Sequence, residues 1–528
     1  MEKIKDFISA HKIIISCVAI LAILVASVLV LGWIGLWYDL IIAAIIGICL
    51  TDIKKHGLLK ILTIIMLLIM LVSNILPGRQ NVIARIGVAD LLINYFSIVL
   101  QNFSYVVLFV LSVGGFYGVL NKTASYKKLL DTIVTKAKPT SKKVIFLITI
   151  IFAIIASLTG MTIPLFIFIP FVVSIILLLG YDKLVAFTST FGGILVGYIG
   201  GVFVNFINPN TYSITTFDEF VGLETKFTNV FPKLLLLFAG LALLIYFLSK
   251  YIKDVEEKKV KYELSDNDEL LIAEVKGDYK NIKTWPLILV LSLIFIILVI
   301  GIIPWNGLFG ITVFSDFHSW LLGLSIKDLK IFPSIISENL PALGEWFGSG
   351  NFMAAYVYSS MLLVFATVII TIVNRIKVND ALDNYIEGMK KLLPTVALIT
   401  VAYTVLVCAY NNGFLEQIIS GYGKFNYGVS SLLAILGCIL NVDTTWIIAG
   451  VFSPILNVIT DESVYASVAL LFQGIYGIFM LVGPTSLMLI LGLTYLNIPY
   501  TTWLKYIWRF ILMLIILLAL VVLLVTLM

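Results

Sequence analysis

Histidine is nearly missing: His11, His56 and His318 are the three in 528 residues. A zinc site or an imidazole acid–base pair has almost nothing to be built from. Cysteine is scarce too, and all four (Cys17, Cys49, Cys408 and Cys438) lie inside apolar runs. They form no CxxC and imply no disulfide framework. Charge is thin: 12% of residues are Asp, Glu, Lys or Arg, against about 25% in soluble proteins. No phosphate-cradling glycine loop and no GxSxG elbow occurs, so an ATP-driven pump is excluded for this chain alone. A membrane-embedded enzyme would need a catalytic constellation, and none stands out. A channel would show rings of repeated carbonyl-bearing or charged residues, and no filter-like repeat is visible.

Apolar sequence fills the space those absences leave. Hydrophobic residues make up 61% of the chain, and the mean hydropathy is +1.09. Many runs reach the roughly 20 residues that span a bilayer. The chain is therefore an all-α polytopic membrane protein, and the bilayer is its first partner. The net charge of +5 sits in loops and follows topology, so no nucleic-acid partner is implied. The segment Met1 to Lys12 is basic and lacks a small-residue cleavage site, so an uncleaved first span is expected.

The expected spans are Ile13–Leu31, Trp37–Leu50, Leu58–Ile75 and Phe103–Leu120, then a double run, Val144–Ser157 and Pro164–Leu179. Leu184–Val204 and Phe231–Leu248 complete the first half. After a charged linker, Lys250–Lys283, come Trp285–Ile303, Met353–Val373, Leu393–Tyr410 and a second double run, Leu432–Leu440 and Thr445–Ile459. Val464–Leu481, a continuation through Leu496, and Ile507–Leu527 close the chain. Lysine is concentrated before the first span, around Lys54 and Lys55, between Lys122 and Lys143, and in the linker. The alternate loops are poor in it. Basic loops stay cytoplasmic, so a cytoplasmic N-terminus in the cytoplasmic membrane is expected.

That orientation requires Val144–Leu179 to begin and end inside. A re-entrant hairpin satisfies it, with Ser157-Leu158-Thr159-Gly160-Met161-Thr162-Ile163-Pro164 as its tip. The two halves then repeat one order of elements from opposite sides: span, amphipathic stretch, span, hairpin, broken helix, closing span. This is an inverted-topology repeat with two re-entrant hairpins and two broken transmembrane helices. The divisions are residues 1–56 (two extra N-terminal helices), 57–249 (first repeat), 250–284 (linker), 285–350 (a connecting helix and an external segment) and 351–528 (second repeat). In the external segment Trp320 and Trp346 suit the headgroup layer.

Each expected break carries a proline. The first is Val204-Asn205-Phe206-Ile207-Asn208-Pro209-Asn210-Thr211, and the second is Val482-Gly483-Pro484-Thr485-Ser486. Proline removes a backbone donor and clashes with the preceding turn. Backbone groups freed inside a membrane must find partners or become ligands. Amide N–H groups suit a carboxylate, whereas carbonyl and side-chain oxygens suit Na⁺. The candidate substrate and ion ligands are Asn205, Asn208, Pro209, Asn210 and Thr211 at the first break. At the second they are Gln473, Gly483, Pro484, Thr485 and Ser486. The hairpin tips add Ser157, Thr159, Gly160 and Thr162, and Asn441, Asp443, Thr444 and Thr445. The plain alternative is that these are loop ends at the membrane surface. Asp443 could hold an ion, exchange a proton, pair with a cationic solute, or simply cap the next helix. Tyr410-Asn411-Asn412-Gly413 reads as a helix C-cap.

Several of these segments carry a likeness to a known family. They are Gly114-Gly115-Phe116-Tyr117-Gly118-Val119-Leu120-Asn121-Lys122-Thr123, Leu179-Gly180-Tyr181-Asp182, Asn208-Pro209, and Gly483-Pro484-Thr485-Ser486 with the tail Ile498 to Lys505. From about Leu71 onward the chain resembles the YfcC-type carriers of the ion transporter superfamily. Anaerobic four-carbon-dicarboxylate carriers, aminobenzoyl-glutamate transporters and arginine–ornithine exchangers are relatives of that type. The resemblance implies two hairpins and two broken helices, a homodimer, and substrate with Na⁺ between the breaks. This chain has Met161 and Thr162 where the family often has acidic residues, and Gly483 where it often has Asn.

The expectation is a secondary active transporter of a small organic solute, an amino acid, a small peptide-like solute or a carboxylate, coupled to Na⁺ and without a cofactor. Exchange of arginine for ornithine without ion coupling, and four-carbon-dicarboxylate carriage, are the alternatives. Asp443, the one acidic residue near a tip, tilts the reading toward an amino-bearing solute.

Overall fold

In the computed structural model the described residues are 35–51, 56–75, 85–160, 162–208, 211, 214–224, 228–257, 275, 279, 282–326, 328–335, 337–346, 354–413, 418–419, 425–440 and 444–527. The expected first span, Ile13–Leu31, lies outside them. Among the described residues nine helices are long and apolar enough to cross a membrane. With no water in the hydrocarbon to take up peptide groups, helix is the form such runs must adopt.

The first half runs α1 (Gly35–Leu50), α2 (Gly57–Ile75), a π-helical turn (Asp90–Tyr95), α3 (Phe96–Leu120) and α4 (Ala124–Ala137). The first hairpin is α5 (Ser141–Thr159), a 3-10 turn (Ile163–Ile167) and α6 (Ile169–Leu178). The broken helix is α7 (Lys183–Phe187), a π-helical turn (Thr188–Gly192) and α8 (Gly193–Ile199). After it come β1 (Asn205–Ile207), β2 (Ile214–Thr216), α9 (Phe217–Phe220) and α10 (Val230–Glu256). Helix α10 therefore runs several residues into the charged stretch read as linker.

The connecting part holds α11 (Trp285–Ile302), α12 (Trp305–Phe309), α13 (Val313–Gly323), the short strands β3 (Ser325–Ile326) and β4 (Leu329–Lys330), and α14 (Ile331–Ile335). Trp320 is exposed, as a headgroup anchor should be, but Trp346 is buried. Its ring lies on Gly301 near the end of α11, where a Cβ would meet the indole at 2.7 Å. Packing, not the interface, holds that tryptophan.

The second half is α15 (Ala354–Val373), α16 (Val378–Asn412), the hairpin α17 (Tyr427–Leu440) with α18 (Thr444–Ile447), a π-helical turn (Ile448–Phe452) and α19 (Ser453–Leu456). Then come α20 (Tyr465–Met480), the break, α21 (Leu487–Tyr495) and α22 (Tyr500–Leu527). The amphipathic stretch and the span expected at Leu393–Tyr410 are one continuous 35-residue helix, α16, with Pro394 inside it. Gly413, at φ 67, caps that helix with its N–H on the Tyr410 carbonyl.

The matching elements of the two halves pack on each other head to tail. Phe103, early in α3, stacks on Tyr403, late in α16, at 3.7 Å. Gly114 lies against Gly388, where a Cβ would meet the partner carbonyl at 2.7 Å. The spacing of Gly114 and Gly118 is the small-xxx-small pattern that lets helix backbones touch. Phe247 of α10 likewise meets Tyr506 of α22, while Gly240 packs by Leu514. Matching elements that cross antiparallel are what an inverted repeat produces.

Two buried carboxylates, Asp218 and Asp182, have partners on neighbouring elements. Lys233 on α10 sits 3.1 Å from Asp218 on α9, both almost fully buried. The side-chain amide of Asn229 donates to Asp218 at 3.0 Å and to the Ala466 carbonyl at 2.9 Å. Asp182 caps α7 through the Val185 N–H at 3.0 Å and accepts from the Tyr251 hydroxyl at 2.7 Å.

Candidate functional site

The first break begins earlier than the proline. Helix α8 stops at Ile199, and Gly200-Gly201 leads into an extended segment. Asn205, Phe206 and Ile207 pair with Thr216, Thr215 and Ile214 as a two-stranded ribbon. Asn208 follows the first strand and is half-buried, while Thr211 is exposed in the turn between the strands. Pro209 and Asn210 lie outside the described residues. The interruption of the helix is thus made by glycines, and the Asn-Pro sequence belongs to the ribbon after it. Asn205 turns its side-chain amide back to the Phe203 carbonyl at 3.0 Å.

The first hairpin tip is fastened to this break. Ser157, buried, donates to the Gly200 carbonyl at 3.3 Å, and its own carbonyl accepts from the Phe203 N–H at 3.2 Å. Gly160 ends α5 at φ 67, a left-handed conformation that costs a side-chain-bearing residue. A Cβ there would also stand 3.2 Å from the Val204 Cα, so the tip and the break touch through main chain. Thr159 returns its hydroxyl to the Ile155 carbonyl at 2.6 Å. Thr162, half-buried, opens the 3-10 turn.

The second break repeats the arrangement. The Gly483 N–H reaches the Phe479 carbonyl at 2.6 Å, and the Ser486 N–H reaches Gly483 at 3.0 Å. Pro484 and Thr485 sit between them, buried. Thr485 donates to the Ile439 carbonyl at 3.0 Å, next to the second tip. Ser486 caps α21 through the Leu489 N–H at 3.4 Å and gives its own proton to Met480 at 2.8 Å. Asn441 and Asp443 lie outside the described residues. Thr444 and Thr445 begin α18, and their side chains are likewise outside the description.

Two side chains that the sequence did not single out complete the second break. Trp503 donates its indole N–H to the Leu481 carbonyl at 2.7 Å, and the Tyr500 hydroxyl donates to the Val482 carbonyl. Both lie in the Ile498–Lys505 tail that carried the resemblance, which was the available signal. With Ser486, they satisfy the three carbonyls left open by the stopped helix, as the hydrocarbon interior demands.

Gln473 joins the halves. From the middle of α20 its amide nitrogen faces the carbonyls of Tyr198, Ile199 and Gly201 at 3.1, 3.4 and 2.8 Å. Three acceptors around one nitrogen fix the amide orientation. The side-chain oxygen of Gln473 is then buried without a hydrogen-bond partner. Gly477, one turn on, packs on Ile199. The first break is therefore seated on α20, about 10 Å along that helix from its end at Met480, where the second break begins, at 1.5 Å per residue. Among the described residues of the tips and breaks there is no Asp, Glu, Lys or Arg.

What the arrangement offers chemically is neutral: hydroxyls, amides, main-chain N–H groups at the start of α21 and main-chain oxygens. Residues 16–527 match the family described as DcuC, C4-dicarboxylate anaerobic carrier. The match begins within the two N-terminal spans that the resemblance left outside, and it supports a carrier family without singling out the YfcC type. The solved structure of the YdaH transporter of Alcanivorax borkumensis, described as having an unusual topology, is similar at 13% identity. That similarity covers 89% of this chain and 98% of the other, with a TM-score of 0.38. No curated protein matches the chain.

Proposed function

We propose that this chain, which belongs to the C4-dicarboxylate anaerobic carrier family, moves a small dicarboxylate across the cytoplasmic membrane by alternating access. The observation that carries the reading is the pairing of each broken helix with a hairpin tip, Ser157 on Gly200 and Thr485 on Ile439, with Gln473 tying the first break to the second broken helix. Discontinuous helices of opposed repeats are where transporters build substrate sites. The start of α21, with Ser486 as its cap, presents the positive end of a helix dipole, which suits a carboxylate.

Na⁺ is the proposed coupling ion, held by the same neutral oxygens. The unpartnered oxygen of Gln473 is the group we assign first to that task. We place the N-terminus and the charged linker in the cytoplasm, take 57–249 and 351–528 as the repeats, and expect a homodimer from the family resemblance. Asp443 at the second tip supports a second reading, an amino-bearing solute.

Uptake and counterflow in proteoliposomes test the proposal. Labelled succinate should accumulate with a Na⁺ gradient and be competed by other four-carbon dicarboxylates. Accumulation of arginine against ornithine, with succinate inert, would replace this reading with the second.

A further inference from the structure

The second hairpin meets the α3–α16 crossing through aromatic rings. Trp446, in α18, stands edge-on to Tyr410, near the end of α16, at 4.4 Å. The same indole lies 6.0 Å from Phe103 of α3, which is itself stacked on Tyr403. Four rings from three elements thus fill the space between hairpin and crossing, on the side where α16 ends. Trp446 is half-buried and Tyr410 is 39% exposed, so the group stands between the interior and the outside.

A stiff hairpin carries Trp446. A Cβ on Gly437 of α17 would meet the Val451 side chain at 2.5 Å and that of Ile447 at 3.2 Å, so the two arms touch beside the tryptophan. Thr485 ties the same hairpin to the second break through the Ile439 carbonyl. Any shift of that break and its hairpin against the crossing therefore moves Trp446 against Tyr410 and Phe103.

The other side of the crossing is open. A cavity of about 750 Å³ lies between α16 and the α21–α22 connection. It begins among exposed residues, His56 and Lys390, on the side proposed as cytoplasmic. Its wall on α16 climbs through Ala397 to Val401, roughly 16 Å from Lys390 at 1.5 Å per residue. Tyr403, where the rings begin, is two residues further on.

We propose that Trp446 is the outer gate of the transport path. In this conformation its ring closes the external approach against Tyr410 and Phe103, while the cleft along α16 leaves the cytoplasmic approach open. The inference rests on the alternating-access reading above and deepens it, by assigning the closed side and the group that closes it. To face outward, the carrier has to draw Trp446 away from both rings. Ring contacts of this kind exclude water, yet they strand no charge when they part.

Alkylation in detergent, where the reagent reaches both sides, tests the gate in a background lacking the native cysteines. Val407→Cys reports the closed side, because Val407 is 0% exposed and lies one turn from both Tyr403 and Tyr410 on α16. Ala397→Cys, exposed in the cleft, reports the open side. Adding Trp446→Ala should speed alkylation of Val407→Cys about tenfold, the scale of two lost ring contacts, and should slow that of Ala397→Cys. Trp446→Phe keeps a ring in place and should leave both rates near the parent's. A fold that is merely loosened raises both rates together. Tyr410→Ala removes the closer contact from an exposed position and should give the same opposed changes, even if Trp446→Ala folds poorly. Val407→Cys still unreactive, or both rates rising together, overturns the proposal. Succinate uptake is followed in parallel. Opposed changes without uptake uphold the gate and sink the dicarboxylate reading, whereas uptake without opposed changes sinks the gate alone.

Discussion

The side-chain amide of Gln473 donates to the main-chain oxygen of Gly201 across 2.8 Å, from the second half of the chain to the first. No other side chain in the described break regions holds three carbonyls of the opposite repeat. Gln473→Leu should leave those carbonyls short of donors, lowering stability by about 1–3 kcal/mol. Gln473→Glu sets a carboxylate against the same oxygens and should do more harm than leucine. Thermal unfolding in detergent measures the first effect, and Na⁺-dependent uptake by the protein that still folds measures the loss of the side-chain oxygen. Unchanged Na⁺ dependence in Gln473→Leu would remove this residue from the proposed ion site.

Gly160 is required twice, by its left-handed φ of 67 and by the main chain of Val204 beside it. Gly160→Ala should cost about 1–2 kcal/mol from the backbone conformation, with more from the displaced break. Uptake should fall further than stability does, because the tip positions the break. A variant with normal uptake and an unshifted melting temperature would show that the tip and the break are not coupled.

Asp218 and Lys233 neutralise each other in a buried site at 3.1 Å. Removing one partner strands a charge and should cost about 3–5 kcal/mol. Asp218→Asn and Lys233→Met should each express poorly, while the double variant recovers much of the loss. Equal damage in the single and double variants would mean that packing, rather than charge balance, sets the effect.

Topology is checked by labelling. A cysteine replacing Lys138, in the lysine-rich segment after α4, should resist an impermeant thiol reagent in intact cells. One replacing Ser319 on α13 should react. The reverse pattern would invert the whole orientation.

The spans were legible because runs such as Trp285–Ile303 carry one message, burial in hydrocarbon, whatever packs around them. The pairing of hairpin and broken helix was legible from order alone. The position of the first break was not. Asn208-Pro209 looks like a helix stop, yet a proline reads alike after a helix and in a turn, and the stop is at Gly200-Gly201. Those glycines were indistinguishable in sequence from the packing glycines Gly193 and Gly197 just before them. Helix α16 was divided for a similar reason. Pro394 and the change from polar to apolar suggested two elements, but the missing N–H at the middle of the 35-residue helix leaves it continuous. Gln473 was a candidate by its place in the chain. What it holds depends on a contact with residues 272 positions or more away, and no local pattern carries that. Trp503 stood in the sequence only as part of the tail that carries the family likeness; its donation to Leu481 is set by the turn of α22 against the break.

Gly114 and Gly118 face Gly388 with nothing between the two main chains. Side chains that interleave can trade one set of grooves for the next, so helices joined by them can ratchet. Two bare backbones in register have no second notch to fall into. The crossing of α3 and α16 is therefore an axle rather than a gear: it can be carried or turned about as one piece, but it cannot slip. Any travel of the broken helices during a transport cycle has to be measured against it.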